Sequence, residues 1–307
     1  MGWRSLEEFI LALEKRGELL RVSHPVDVEL EAGCIADLLV KRGGPAVIFD
    51  QPRLGDGSIS RYPLAMNLFG TRERTNLALG VEEPKEIGEI MTGLMKPDIG
   101  GILRRPWTGL GLLKQGISMA PRKVSKGKCQ QVRMDNPDVT RLPIPTTWPQ
   151  DGGPFMTLPL VVTSDPETGV HNLGMYRSQV FGPDEVGLHW QKHKHGADHA
   201  EASDDRMPVA ICLGGPPQVI FSAISPLPDN LSEYEFAGLL SGRRLKITKC
   251  LTNDLWVPAD CDFVIEGYTL PSERRMEGPF GDHFGHYSLE DEYPVMHVTA
   301  ITHRKDP

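Results

Sequence analysis

Two acids five residues apart, Glu277 and Asp282, bracket Gly278-Pro279-Phe280-Gly281 near the end of the chain. Two glycines and a proline cannot sustain a helix, so the stretch is a turn whose backbone can come close to a ligand. A carboxylate on such a turn either caps it or is held out for proton chemistry. A second stretch, Asn172-Leu173-Gly174-Met175-Tyr176-Arg177, reads as a strand with an interior glycine and one arginine. That pattern marks close approach to a ligand, or an ordinary strand with an exposed cation. Asn172 and Arg177 fall on opposite faces of a regular strand, so service in one site requires a bulge or bend near Gly174. In a third stretch four of the ten histidines lie between residues 189 and 199. His193 and His195 share a face if the segment is extended, which suits a metal or a phosphate; a polar surface loop is the alternative. In a fourth, Ser225 to Tyr234, Glu233 stands in the first turn of a helix. There it is an N-terminal stabiliser or an oxygen ligand for a hard cation such as Mn²⁺ or Mg²⁺.

The elements that must position these groups change character along the chain. Ser5-Leu6-Glu7-Glu8 is a capping box, followed at helical spacing by Leu6, Phe9, Ile10 and Leu13, with Gly17 as the stop. A strand over Leu19–Val22 and a helix with Ile35, Leu38 and Leu39 on its inner face come next. A buried strand over 45–49, a strand over 62–66 and helices over 74–79 and 84–95 complete an α/β unit. No G-x-G-x-x-G opens a helix after a strand, and no G-x-x-x-x-G-K-[ST] occurs, so a Rossmann or P-loop nucleotide site is unsupported. Residues 100–155 are richer in Gly, Pro and basic side chains (Arg104, Arg105, Arg122, Lys123, Lys126, Lys128). They read as a solvated linker with a domain boundary near 120. From Leu158 onward short strands and tight turns predominate: strands over 160–163, 172–181 and up to 190, and a hairpin of 209–213 with 218–224. Further strands are read over 245–249, 263–268 and 295–302, with one helix from Ser232 to Leu240. Many strands and few helices point to a closed or half-closed barrel.

Net charge is −8, so bulk electrostatics give no reason to expect nucleic acid or an anionic membrane surface as partner. The five cysteines are scattered, without a C-x-x-C pair, and sit largely in apolar runs, the usage of a reduced, cytoplasmic chain. No apolar run approaches the length of a membrane span, and the first residues carry no apolar signal core.

In chain order, N-L-G-M-Y-R at 172–177, H-W-Q-K-H-K-H-G at 189–196, P-L-P-D-N-L-S-E-Y-E-F-A-G at 226–238 and E-G-P-F-G-D-H at 277–283 resemble the motifs of the UbiD family of reversible decarboxylases. The likeness covers essentially the whole chain. It implies an α+β protein: an N-terminal α/β domain with linker over 1–120, then a flavin-reductase-like split β-barrel over 121–307 that binds prenylated FMN. It further implies a divalent metal, Mn²⁺ (or Mg²⁺), and K⁺ bridging the flavin phosphate to protein. On the matching positions Asn172, His195 and Glu233 are the implied metal ligands, with His193 an alternative to His195. Met175, Tyr176, Arg177, His189, Trp190, Gln191 and Lys194 are the implied cofactor contacts, and Arg177, Glu277 and Asp282 the implied catalytic network.

The implied reaction is non-oxidative decarboxylation of an aromatic or α,β-unsaturated acid through a covalent adduct with prenylated FMN, the flavin acting as electron sink. Arg177 would grip the carboxylate, Glu277 would orient Arg177, and Asp282 would return the proton from a closed, partly apolar pocket that raises its pKa. The implied partners are the small-molecule acid, an enzyme that supplies the prenylated flavin, and further copies of the chain in a homo-oligomer. Family members continue into a C-terminal domain that covers the site and drives oligomerisation, which this chain is expected to lack. Two other readings stand beside this one: a truncated flavin-binding module without turnover, and a metal-dependent hydrolase built on the histidines, against which the absence of H-E-x-x-H counts.

Overall fold

The structure, a computed structural model, describes residues 2–95, 116–190, 205–228 and 231–307. The N-terminal part is the expected α/β unit. Helix Leu6–Lys15 is capped by Ser5, whose side chain accepts from the Glu8 amide, and it buries Phe9 and Leu13. The Glu8 carboxylate accepts from the Arg4 amide, one residue before the cap, so the reciprocal half of the capping box is displaced. Strands Leu19–Val22 and Ala46–Phe49 pair in parallel, and Leu64–Met66 runs antiparallel to the second. Helix Glu31–Lys41 packs through Ala32, Gly33 and Ala36, while Leu38 is exposed, against the expected inner face. The small side chains decide this: a Cβ on Gly33 would stand 2.8 Å from the Thr147 carbonyl oxygen, so the helix sits too close to its neighbour for leucine there.

The second part is one strongly curled sheet. Its strands run in the order His171–Met175, Leu160–Ser164, Met207–Leu213, Phe263–Glu277, Asp291–His303, Glu185–Leu188, Ser178–Val180 and Phe155–Met156. His171–Met175 forms one edge and Ser178–Val180 lies next to the other, yet only Tyr176 and Arg177 separate them in sequence. The sheet must therefore bend until its two ends meet, a half-barrel closed at one corner by those two residues. Alternation along the strands buries both faces. Val161, Ile211 and Ile265 point into one core, and their neighbours Leu160, Val162, Ala210, Cys212 and Val264 into the other. Each such aliphatic side chain contributes about 1.5–3 kcal/mol on burial.

Three further expectations are corrected. Residues 218–224 are not the second strand of a hairpin: Pro217–Ser222 is a helix with proline at its start, burying Gln218, Val219 and Ile220. Two consecutive prolines fit the cap and first turn of a helix and could not donate to a sheet ladder. The basic segment from Arg122 is no free linker, because Arg122–Val124 pairs in parallel with Lys246–Lys249 and the Lys123 ammonium lies 4.3 Å from the Trp256 ring centre; Arg104 and Arg105 lie outside the described residues. The strand read over 172–181 is broken after Met175.

Strands 263–277 and 291–303 outrun the sheet core. Their pairing shifts register at Glu266/Gly267 and again between Thr269 and Arg274, and resumes to place Glu277 opposite Asp291. These irregularities bend the long ribbon over the barrel mouth. Four cysteines are buried and all five are free thiols; burial pushes the Cys212 thiol well up, consistent with inert core packing. Among the described residues no helix is long and apolar enough to cross a membrane.

The two parts share a charged contact. The buried Arg304 guanidinium lies between Glu7, in the first helix, and Asp262, 3.3 Å away. Burial outweighs the pull of Arg304 and pushes the Asp262 carboxyl up to about 6. Folding thus takes up a proton between the ordinary carboxylate pKa and about 6. The contribution to stability is full below the unfolded value and is lost as pH rises through about 6. A shift of that size corresponds to about 3 kcal/mol. Urea denaturation of the protein and Asp262→Asn at several pH values is expected to show their stability difference moving by that order between pH 7 and 4, in favour of the unsubstituted protein on the acid side. A difference independent of pH would contradict it.

Candidate active site

The break after Met175 aims Arg177. Asn172 through Met175 pair without a bulge against Thr163 through Leu160, so the bend lies at Tyr176-Arg177 rather than at Gly174. Gly174 serves a different need: a Cβ there would stand 2.3 Å from the Tyr176 ring, which folds back across its own strand. The bend frees Arg177 from the opposite-face placement that a continuous strand would impose and removes the alternation conflict.

Arg177 lands on the end of the long ribbon. Its Nε and Nη2 both approach Glu277 Oε1 at 3.0 Å, and Nη2 also donates to Ser288 Oγ at 3.0 Å. The guanidinium carbon lies 4.5 Å from the Phe280 ring centre. His189 Nδ1 stands 2.9 Å from the same Glu277 oxygen, and because a carboxylate only accepts, Nδ1 carries the proton and donates. The His189 ring is backed by Tyr293 at 4.2 Å, whose hydroxyl pKa is raised by burial and then by Glu277. Glu277 is fully buried and Arg177 only 11% exposed, so the pair is desolvated. Glu277 Oε2, also buried, has no hydrogen-bond partner among the described residues. A buried carboxylate oxygen without a donor is costly, and a bound polar group or proton would satisfy it.

Asp282 stands at the tip of the hairpin formed by Phe280–Gly281 and Tyr287–Ser288. Its amide donates to the His286 carbonyl at 2.9 Å, and its carboxylate contacts His283 Nδ1. The Asp282 side chain is 34% exposed although Oδ1 itself is buried, so the described residues only partly enclose it and do not form the closed apolar pocket expected for a proton donor. It belongs to the same hairpin as Phe280 and Ser288, both of which touch Arg177.

Asn172 and Glu233 converge. Helix Glu233–Ser241 is capped by a box of Ser232 with Glu235, which takes the stabilising role read for Glu233. Glu233 is thereby left to reach across to the strand, where its Oε2 accepts from the Leu173 amide at 3.3 Å, next to Asn172. Glu233 thus reaches the backbone of the residue that follows the buried Asn172, and amide and carboxylate oxygens are donors of the kind a hard cation takes. Among the described residues no cluster of three or more His, Cys, Asp or Glu could hold a metal. Gln191, Lys194, His195 and the alternative His193 lie outside the described residues. Tyr176 and Trp190 are buried together in the barrel interior, Trp190 Nε1 without a hydrogen-bond partner, and Met175 packs on the opposite core.

Ser288, Tyr293 and the Asp151-Gly152 turn were not singled out in the sequence. The last carried a readable sign, since Asp151-Gly152-Gly153 repeats the pairing of an acid with glycines seen in the 277–282 turn.

Comparison with known proteins shows the family of the chain. Residues 122–307 match the 3-octaprenyl-4-hydroxybenzoate carboxy-lyase Rift-related domain, and residues 10–93 match the N-terminal domain of the same carboxy-lyases. The chain belongs to the UbiD family. An uncharacterised protein of Archaeoglobus fulgidus is 44% identical over the whole of this chain, which spans 63% of that relative's length. Among solved structures of the family, the closed form of vanillic acid decarboxylase from Sedimentibacter hydroxybenzoicus superposes with a TM-score of 0.85 at 30% identity, covering 100% of this chain and 63% of that one. An evolved dimeric form of the UbiD-class enzyme HmfF from Pelotomaculum thermopropionicum, in complex with prFMN, gives 0.82 at 29% identity, covering 99% and 66%.

Proposed function

We propose that this chain carries the catalytic site of a carboxy-lyase that removes CO₂, reversibly and without net oxidation, from an aromatic or α,β-unsaturated carboxylic acid. The observation that carries this reading is the buried Arg177–Glu277 pair, with one guanidinium edge fixed by Glu277 and Ser288 and a carboxylate oxygen still lacking a donor. Membership of the UbiD family supports it.

Arg177 Nη1 takes part in none of these bonds and offers an N–H edge to a substrate carboxylate. Glu277, His189 and the Phe280 ring hold the guanidinium plane still, so little entropy is lost on binding. When the C–C bond breaks, its electron pair stays on the substrate carbon and CO₂ departs. Asp282 then gives its proton to that carbon and recovers one from water, to which its partly exposed carboxylate has access. Prenylated FMN, when bound, supplies the electron-accepting ring system that this step needs. Asn172 and Glu233, with an imidazole from His195 or His193, would hold Mn²⁺ or Mg²⁺, and K⁺ would join them at the flavin phosphate. Met175, Tyr176 and Trp190, with Gln191 and Lys194, would wall the flavin. An enzyme making the prenylated flavin and further copies of the chain are the proposed partners.

Reconstitution with prenylated FMN and Mn²⁺ followed by CO₂ release from a panel of aromatic and unsaturated acids tests the reading. Asp282→Asn is expected to lower turnover by about 10²–10⁴-fold, the usual size of a lost general acid, with flavin binding unchanged. Undiminished turnover in that variant would remove Asp282 from the proton transfer. Retained flavin with no acid consumed by the unsubstituted protein would leave a binding module.

A further inference from the structure

The hairpin that carries Asp282 packs on the barrel through Phe280, whose ring centre lies 4.8 Å from that of Phe155, and it is fastened further to a strap formed by residues 147–153 and to Gln179. Asp151 Oδ1 accepts from the Gly281 amide at 2.7 Å, and Asp151 Oδ2 accepts from the Thr147 and Trp148 amides at 3.2 and 2.8 Å. One carboxylate therefore ties the strap's own turn to the residue immediately before Asp282. The Gly152 amide donates to the Pro279 carbonyl at 2.8 Å. The buried Gln179 amide bridges the two, donating to the Gly152 carbonyl at 2.8 Å and accepting from the Gly278 amide at 2.9 Å. Trp148 lies flat on the hairpin: a Cβ on Gly281 would stand 2.2 Å from its indole.

We infer that Asp151, with Gln179, is a positioning residue that sets the place of Asp282 over the Arg177–Glu277 pair. The chief hold on Arg177 is Glu277, itself bonded by His189, and neither touches the strap; Ser288 and Phe280 of the hairpin add to it, so the grip on the substrate carboxylate depends less on Asp151 than the placement of Asp282 does. The strap is itself anchored in the N-terminal part, where the Leu30 amide donates to the Thr146 carbonyl at 2.8 Å and the Thr146 amide to the Val28 carbonyl at 3.2 Å. The placement of the proton donor is thus referred to the N-terminal domain rather than to the barrel alone. The catalytic half of this inference rests on the carboxy-lyase reading; the tether itself does not.

Asp151→Asn can keep one acceptor for the strap's turn while presenting an amide N–H to the Gly281 N–H, which breaks the tie to the hairpin. Two measurements on the full chain separate the possibilities. In hydrogen–deuterium exchange, the Gly281 and Asp282 amides are expected to exchange at least about 10-fold faster in the variant, while strands 160–164 and 207–213 keep their protection. In turnover by the flavin-loaded protein, kcat is expected to fall by about 10- to 100-fold with KM for the acid within about two-fold, the pattern of an interaction realised after binding. A purely local role for Asp151 would speed exchange only at Thr147 and Trp148 and leave kcat unchanged, overturning the inference. Gln179→Met, which removes the bridge to Gly278, gives a second variant if the first does not fold, with the same two readouts and the same deciding outcomes. If the unsubstituted protein turns over no acid, the carboxy-lyase reading fails, and the exchange data alone still decide the tether.

Discussion

Glu277→Gln is expected to keep the fold and lose turnover by about 10²–10⁴-fold, the range for removal of a group that acts in the transition state. The glutamine carbonyl can stand where Oε1 accepts from Arg177 and His189, and its NH₂ falls where Oε2 has no partner, so the contacts survive. What disappears is the negative charge beside a guanidinium that is only 11% exposed. Glu277→Ala removes contacts and charge together. Deleting one member of a buried ion pair costs about 3–5 kcal/mol, so this variant should also unfold at markedly lower denaturant. Comparing the two variants by chemical denaturation and by CO₂ release separates charge from packing. Full turnover in Glu277→Gln would show that the charge on this residue plays no part.

The second large effect is expected at Gly152, an exposed residue outside the hydrophobic clusters. A Cβ there would meet the Gly278 carbonyl oxygen at 2.0 Å and its carbon at 2.6 Å. Both are backbone atoms, so no rotamer change relieves the clash, and strap and hairpin must separate. Such overpacking costs about 1–3 kcal/mol. Displacing the hairpin by about 1 Å would lower turnover by about 10²-fold, since reacting groups tolerate little misplacement. Gly182→Ala is the control, because nothing lies within 4 Å of the added methyl and its backbone is unstrained. Thermal melts and turnover of the two alanine variants, side by side, check the prediction. Wild-type turnover in Gly152→Ala would mean that the hairpin moves freely without loss.

Legibility in the sequence followed the range of the forces involved. Helices Leu6–Lys15 and Glu233–Ser241 were readable because caps, stops and apolar spacing act within a few residues. Pro217–Ser222 was misread as a strand because a short apolar run with flanking glycine and proline suits either state, and its packing against helices Glu233–Ser241 and Arg72–Leu79 decided for the helix. The basic segment at 122–124 was misread because its partner strand lies over 120 residues away. At the site, the types of Arg177, Glu277, Asp282, Asn172 and Glu233 were visible as motifs, whereas His189 acting on Glu277, and Ser288 and Asp151 as supports, are contacts across 88 to 130 residues.

By itself the sequence determined which chemical groups are available, the family, and the local turns and helices, since these depend on side-chain identity and near-neighbour backbone preference. Only the tertiary structure decided that the sheet closes at Tyr176-Arg177, that Glu277 is desolvated against Arg177 and His189, and that the Asp282 hairpin hangs from the Asp151 strap. Those outcomes depend on where a curled sheet brings distant backbone amides and charges together, and no spacing along the chain encodes that distance.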